Sequence, residues 1–371
     1  MYVPRPLPSP FDSRAFNLAE AAARDIGPGR LRAKDLEKPT RGVRLHSSLA
    51  ADLVERVRAY QLAVPDAVVS HITAAIIWGF WLPLDLQRIT LIHVSRPPKE
   101  RALRREGAVG HNATLAEDDV VHGSRIVSTS AERTWCDLAA VLSLDELIIA
   151  GDFLVKRRGP LSSLARLHTA VAQMRGRRGA KKAREALEWV RERTDSAKET
   201  ELRLMLVRAG LPEPAINAPV QDPQGRFLEE PDMSYQEYKI AFQYDGGHHI
   251  NEDQRRWDIS RDERIIEIGW RVLKLTQLDL NEPPGGGEPP AVTRTRRALS
   301  ERGWKRPGSP NLCPGPSFRP PRTQIEKSIT GTLKPASEQI PTAREPSQQI
   351  PTAREPSEQI PTVREGKRDG V

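Results

Sequence analysis

Pro231-Asp232-Met233-Ser234-Tyr235-Gln236-Glu237-Tyr238-Lys239-Ile240-Ala241-Phe242-Gln243-Tyr244-Asp245 is the stretch whose reading decides the fold of the C-terminal half. Pro231 to Tyr235 reads as a short strand and Lys239 to Asp245 as a longer one, ended by Gly246-Gly247, with a short turn at Gln236-Glu237. Side chains alternate along a strand, so Ile240, Phe242 and Tyr244 take the core face, and Lys239, Ala241, Gln243 and Asp245 take the other. An antiparallel hairpin turning near Gln236 sets Asp232 beside residues 241–243. Asp232, Gln243 and Asp245 then converge on one face, and His248 and His249 come just past the strand end. Two acids, a carbonyl-bearing amide and a histidine suit a hard cation such as Mg²⁺ or Mn²⁺, which takes oxygen ligands. Acids gathered without a cation repel one another. A cation held there activates a water and stabilises the charge that builds up in phosphodiester hydrolysis.

Outward from this hairpin the pattern stays consistent. Upstream, Ser196 is a good helix N-cap, and Glu199 lies three residues on at capping-box spacing. The helix runs through Leu202, Leu204, Met205 and Leu206 and stops at Gly210-Leu211-Pro212. Glu199 therefore has a plain reading as a capping acid beside its reading as a site residue. Val220 and Phe227-Leu228 flank a Gln221–Gly225 turn and form a second hairpin. Downstream, a helix from Asp258 to Ile268 leads into a strand from Gly269 to Leu275.

The strings S-A-K-E-T-E-L-R (196–203), G-L-P-E-P (210–214), R-F-L-E-E-P-D (226–232), I-A-F-Q-Y-D-G-G-H-H (240–249) and R-R-W-D-I-S-R-D-E-R-I-I-E-I-G-W-R-V-L-K-L-T (255–276) run in order through this region. Together they resemble an actinobacterial family related to Vsr mismatch endonucleases, of the PD-(D/E)xK type. The resemblance implies a restriction-endonuclease-like mixed sheet flanked by helices at 193–304, within an α/β (α+β) protein. It matches Glu199 to the family's first-helix acid, Asp232 to a metal-binding aspartate and Asp245 to the acid of a D-G turn. It matches His248 or His249 to a histidine that polarises water or phosphate. Gln243 departs from the pattern, because many relatives carry an acid there; glutamine offers a carbonyl oxygen but no charge. Pro231-Asp232 with Glu237 and Lys239 also spells PD…ExK, but Glu237 falls at the turn tip and the match reads as coincidence.

The N-terminal part divides differently. Residues 1–46 contain a helix-forming stretch from Ala15 to Asp25, a Gly27-Pro28-Gly29 break, a second helix starting at Arg30 and a turn at Thr40–Arg44. That outline is of a winged helix-turn-helix, with Arg30, Arg32, Arg41 and Arg44 as DNA-contact candidates. Residues 47–160 read as an α/β region, with helices at 51–62 and 70–82, a strand at 89–94, an exposed charged segment at 99–105 and helices at 131–142 and 144–155. His71 reads as a buried or capping histidine rather than a ligand. The strings S-H-I-T-A-A (70–75), S-T-S-A-E-R-T-W-C-D-L-A (128–139) and D-E-L-I-I-A-G-D-F-L (145–154) resemble the abortive-infection type IV antitoxin (AbiEi-like) region. That resemblance implies DNA binding, operon regulation and a possible toxin partner or homodimer. Residues 161–192 form a basic linker or helix with Arg175, Arg177, Arg178, Lys181, Lys182 and Arg184 as candidate phosphate contacts.

Composition frames these readings. The 371 residues carry 57 Lys+Arg against 49 Asp+Glu, a net +8, which favours a polyanionic partner such as DNA. Only Cys136 and Cys313 are present, so no disulfide framework is expected and a reducing cytoplasm fits. No apolar run reaches the ~18 residues of a membrane helix, and the N-terminus lacks the apolar core of a signal peptide. After Trp304 lie 12 of the 32 prolines, with near-identical decads starting at Ser337, Ser347 and Ser357. Residues 305–371 are therefore expected to be an extended, disordered tail. Two functions follow: a metal-dependent DNA endonuclease of defence or repair type, or a DNA-binding, antitoxin-like regulator with an inactive nuclease fold.

Overall fold

The computed structural model describes residues 4–98, 104–245 and 262–306. The charged segment 99–103, the histidines at 248 and 249 and the repeat tail from 307 lie outside the described residues. Among the described residues the protein is mixed α/β.

Residues 14–46 differ from the expected helix pair. Phe16–Asn17 pairs antiparallel with Val43–Arg44, and Leu36–Glu37 pairs with the other edge of Val43–His46, giving a three-stranded sheet. These pairings consume both ends of the expected helices. The first helix is cut to Leu18–Ala22, capped by Asn17, whose Oδ1 accepts from Glu20 N at 2.8 Å. The second, expected from Arg30, is a single 3₁₀ turn, Arg30–Arg32.

A five-stranded sheet follows, in the order Ala108–Asn112, Ile92–Arg96, Val68–Val69, Val127–Thr129, Val120–His122. The expected strand at 89–94 is shifted to Ile92–Arg96. The helix Leu53–Ala63 covers this sheet through Val57 and Tyr60. His71–Trp78, Ala131–Leu138, Leu144–Leu154, Leu164–Ala172 and Ala180–Trp189 build the largest core, around Trp135. Trp135 is fully buried, and its indole N–H donates to Leu147 O at 2.8 Å, so its one polar atom is satisfied inside the core. Ser130 and Ser143 cap the two central helices, each accepting from the backbone N–H three residues on.

The third sheet runs Arg271–Thr276, Ile240–Asp245, Met233–Tyr235, Ala215–Ile216, and Val220–Gln221 pairs separately with Phe227–Glu229. Met233–Tyr235 pairs antiparallel with Ile240–Phe242, and Ile240–Asp245 pairs parallel with Arg271–Thr276. The expected alternation holds: Ile240 and Phe242 are buried against Leu202, Leu206 and Leu273, while Ala241 packs on the opposite face with Val220, Ile265 and Trp270. Glu237 is exposed in the turn, as its position in the sequence required. The helix Ala197–Arg208 serves two cores at once. Leu204 joins the Trp135 cluster, whereas Leu202, Met205 and Leu206 join the Phe242 cluster.

Candidate functional site

Glu199 stands in the first turn of Ala197–Arg208, where Ser196 Oγ accepts from Glu199 N at 3.2 Å. Its carboxylate bends back over the cap: Oε2 accepts from Asp195 N at 3.0 Å and Oε1 accepts from Ser196 Oγ at 2.9 Å. A third donor comes from outside the helix, because Asn217 Nδ2 reaches Glu199 Oε2 at 2.9 Å. Glu199 is only 4% exposed. Burial pushes its carboxyl up to about 7, and the nearby Asp232 charge pushes in the same direction, against the hydrogen bonds that lower it. Glu199 thus folds back on the helix start, but onto Asp195 N, one residue before the N-cap, rather than onto Ser196 N as a capping box would have it.

The hairpin register sets Met233 opposite Phe242, so Asp232 lies beside Gln243 and Tyr244. Asp232 Oδ2 accepts from Tyr244 N at 2.7 Å, which ties the acid to the strand whose end carries Asp245. Gln243 donates from Nε2 to Glu229 Oε1 at 2.6 Å. Glu229 is 2% exposed and enters from the small hairpin. Lys274 is the parallel partner of Gln243 and forms an ion pair with Asp262 at 2.6 Å. Asp245 stands exposed at the strand end. His248 and His249 lie outside the described residues, so their expected approach is not placed.

The structure therefore brings Glu199, Asp232 and Gln243 into one neighbourhood and adds Asn217, Glu229, Lys274 and Asp262. Sequence reading passed over these four. Strand parity offered the signal for Lys274, which is in register with Gln243. Nothing local marked Glu229 or Asn217, which arrive by pairing between distant segments. Among the described residues no three His, Cys, Asp or Glu side chains stand in metal-ligating geometry.

The basic candidates divide by what they already bind. Arg30 is held bidentate by Asp35, at 2.8 Å to each oxygen, and Arg44 donates to Leu31 O at 2.9 Å. Lys182 donates to Leu142 O, and burial lowers the pKa of its amine. These three each have a partner inside the fold. Arg32, Arg41, Arg175, Arg177, Arg178 and Lys181 are exposed. The turn that carries 175–178 ends at Gly179, with φ +84°, where a Cβ would come within 2.7 Å of the Ala139 backbone, so glycine is required there.

Two uncharacterized proteins of Mycobacterium tuberculosis, from two strains, are each 26% identical to this chain over 248 residues. That span covers 65% of this chain and 86% of the relative. No family model matches the chain, and no solved structure matches it.

Proposed function

We propose that residues 193–304 hydrolyse DNA phosphodiesters with the help of a divalent cation, in a defence or repair role within a reducing cytoplasm. The observation that carries this reading is the approach of Glu199 and Asp232, 33 positions apart in sequence, closely enough for the Asp232 charge to raise the Glu199 pKa. Two carboxylates that disfavour each other's ionisation fit a hard cation that needs few protein ligands and keeps its waters. Glu199 and Asp232, with Asp245 at the strand end, would hold Mg²⁺ or Mn²⁺. Such an ion supplies a nucleophilic water and charge stabilisation at phosphorus. Asn217 and Ser196 fix the Glu199 carboxylate, and Tyr244 N fixes Asp232 Oδ2. Arg175, Arg177, Arg178 and Lys181 supply phosphate contacts that position the strand without reading its sequence.

A second reading is a DNA-binding regulator with a silent nuclease fold, acting with a toxin partner or as a homodimer. It is favoured by Gln243, which brings no charge and is already bonded to Glu229. Nicking of supercoiled plasmid in Mg²⁺, Mn²⁺ or EDTA separates the two. The nuclease reading expects metal-dependent nicking that Asp232→Ala removes. Folded, DNA-binding wild-type protein that nicks in neither metal gives the position to the regulator.

A further inference from the structure

We propose that Phe227 is a stacking platform for an unpaired nucleobase of the nucleic acid that passes the Glu199–Asp232 neighbourhood. The inference rests on the reading of that neighbourhood as one that handles DNA, and it names the form of the substrate: a strand with a base free of its partner. Phe227 is 63% exposed, on the short hairpin of Val220–Gln221 and Phe227–Glu229. A lone exposed phenylalanine is ordinary on a protein surface. This one is set apart by the turn that presents it, by the irregular pairing that aims it outward, and by its place beside Gln243.

The tip of the hairpin is built around Asp222. Its Oδ1 accepts from Gln224 N and Arg226 N, both at 2.9 Å, and its Oδ2 accepts from Arg226 Nε at 2.6 Å. Its own N–H donates to Arg226 O at 3.0 Å, and its carbonyl accepts from Gly225 N at 2.9 Å. Gly225 has φ +79°, the left-handed conformation that glycine allows. A ring carried on a turn with so many bonds of its own is placed before any ligand arrives, which lowers the entropy cost of docking. The pairing then turns the ring out. Val220 opposes Glu229 but Gln221 opposes Phe227, so the Phe227 strand carries one extra residue. A bulge of this kind re-aims side chains and is frequent next to active sites. Here Glu229 is buried and Leu228 packs against the cluster of Val220 and Trp270, while Phe227 faces solvent.

Position and charge select the occupant. Glu229 Oε1 accepts from Gln243 Nε2 at 2.6 Å, and Gln243 stands beside Asp232. Phe227 lies two residues from Glu229, about 7 Å along an extended strand. Successive nucleotides of one strand are about 3.4 Å apart. A nucleic-acid strand lying at Asp232 therefore reaches Phe227 within about two to four nucleotides. Arg226, next to the ring, donates its Nε to Asp222 and still has a side chain 77% exposed, so phosphate can reach its outer edge. Lys274, in register with Gln243, is 54% exposed. An aromatic face for the base with cations for the backbone is the usual recognition of single strands. Inside a duplex each base face is covered by its neighbours in the stack, so only a base out of the stack offers a face to Phe227.

The test uses the full-length chain in EDTA, where binding is read apart from cleavage. A single-stranded DNA oligonucleotide carrying 5-iodouracil is titrated and irradiated, and the crosslink is mapped by mass spectrometry. The same strand in a fully paired duplex is the reference. The expected result is a crosslink at Phe227 with the single strand and none with the duplex. Phe227→Ala weakens single-strand binding by about 5–100-fold and Phe227→Trp retains it, with duplex binding and melting temperature unchanged in both. The proposal is overturned if folded Phe227→Ala binds the single strand as tightly as wild type, or if the crosslinks map away from the hairpin. It is overturned equally if Phe227→Ala acts only by separating copies of the chain in sedimentation, which gives the ring to self-association. Plasmid nicking in Mg²⁺ or Mn²⁺ keeps the two readings apart. Protein that crosslinks at Phe227 but nicks in neither metal loses the nuclease reading and keeps the platform. Protein that nicks but is indifferent to Phe227→Ala loses the platform alone, and folded protein that binds neither form of DNA overturns both.

Discussion

Arg203 and Asp152 form an ion pair at 3.0 Å with both side chains fully buried, joining Ala197–Arg208 to Leu144–Leu154. Asp152 is further satisfied by Thr200 Oγ1 at 2.8 Å and Arg191 N at 2.7 Å. Removing Asp152 leaves the buried Arg203 charge with the partly exposed Glu213, at 3.1 Å, as its remaining ionic partner, in a medium that solvates it poorly. Asp152→Ala is expected to cost about 3–5 kcal/mol in urea denaturation. A loss under ~1 kcal/mol, the range of an exposed pair, would show that the two helices are not locked together by this contact.

The helix bearing Arg203 also explains why part of the candidate site was legible and part was not. Ser196 and Glu199 sit three residues apart, and a helix start reads that spacing directly. Asp232 near Gln243 followed from a tight turn and strict alternation. Asn217 and Glu229 depend on which segments pair across long stretches of chain, and local periodicity holds no record of that. The same limit caused the error at Arg30. The local pattern favoured a helix, but pairing of Leu36 with His46 drew the chain into a sheet. Tertiary pairing overrode propensity.

Glu199 sets a testable pH dependence. Its folded pKa of about 7 lies above its ordinary value of 4.5. A raised pKa contributes stability that is fully present below pH 4.5 and lost as pH rises through about 7. Glu199→Gln removes the titrating group, so stability measured from pH 4.5 to 7.5 is expected to fall less steeply with pH than in wild type. Parallel profiles would refute the raised value.

The buried imidazoles of His71 and His93 act with the opposite sign. His71 at about 2 and His93 at about 4 lie below the ordinary 6.5, held down by burial and by each other, with Arg133 also opposing a charge on His71. Their contribution is present above pH 6.5 and is lost as pH falls toward 4, because the unfolded chain takes up the protons first. Melting temperature is expected to drop on acidification from pH 6.5 to 4.5, and folded His93→Gln is expected to drop less. Asp137 belongs to the same region, and burial raises its carboxyl. Asp137→Asn is therefore the control that assigns the slope to the imidazoles.

The basic turn should act on DNA, and its engaged neighbour on stability. Each phosphate contact contributes a slope of about 0.9 to the dependence of log affinity on log salt. Arg175→Gln, Arg177→Gln and Arg178→Gln combined are expected to lower that slope by about two to three with little change in melting temperature. Lys182→Gln is expected to do the reverse, since its amine is spent on Leu142 O. Equal salt slopes for the triple variant and wild type would place DNA contact elsewhere on the chain.

Gln243 offers the sharpest test of the carboxylate neighbourhood. Its Nε2 donates to Glu229 Oε1 at 2.6 Å, and Glu229 is buried. Gln243→Glu replaces that donor with a second negative oxygen, so two carboxylates meet where the hydrogen bond was. Loss of a buried donor costs about 1–3 kcal/mol, and like-charge repulsion adds to it. In EDTA the variant should melt below wild type. If a divalent cation binds beside Asp232, the added charge strengthens that binding, and Mn²⁺ should raise the variant's melting temperature more than it raises the wild type's. A variant that is destabilised in EDTA but responds to Mn²⁺ no more than wild type would place the cation away from Gln243. That result would favour a structural role for the Gln243–Glu229 bond.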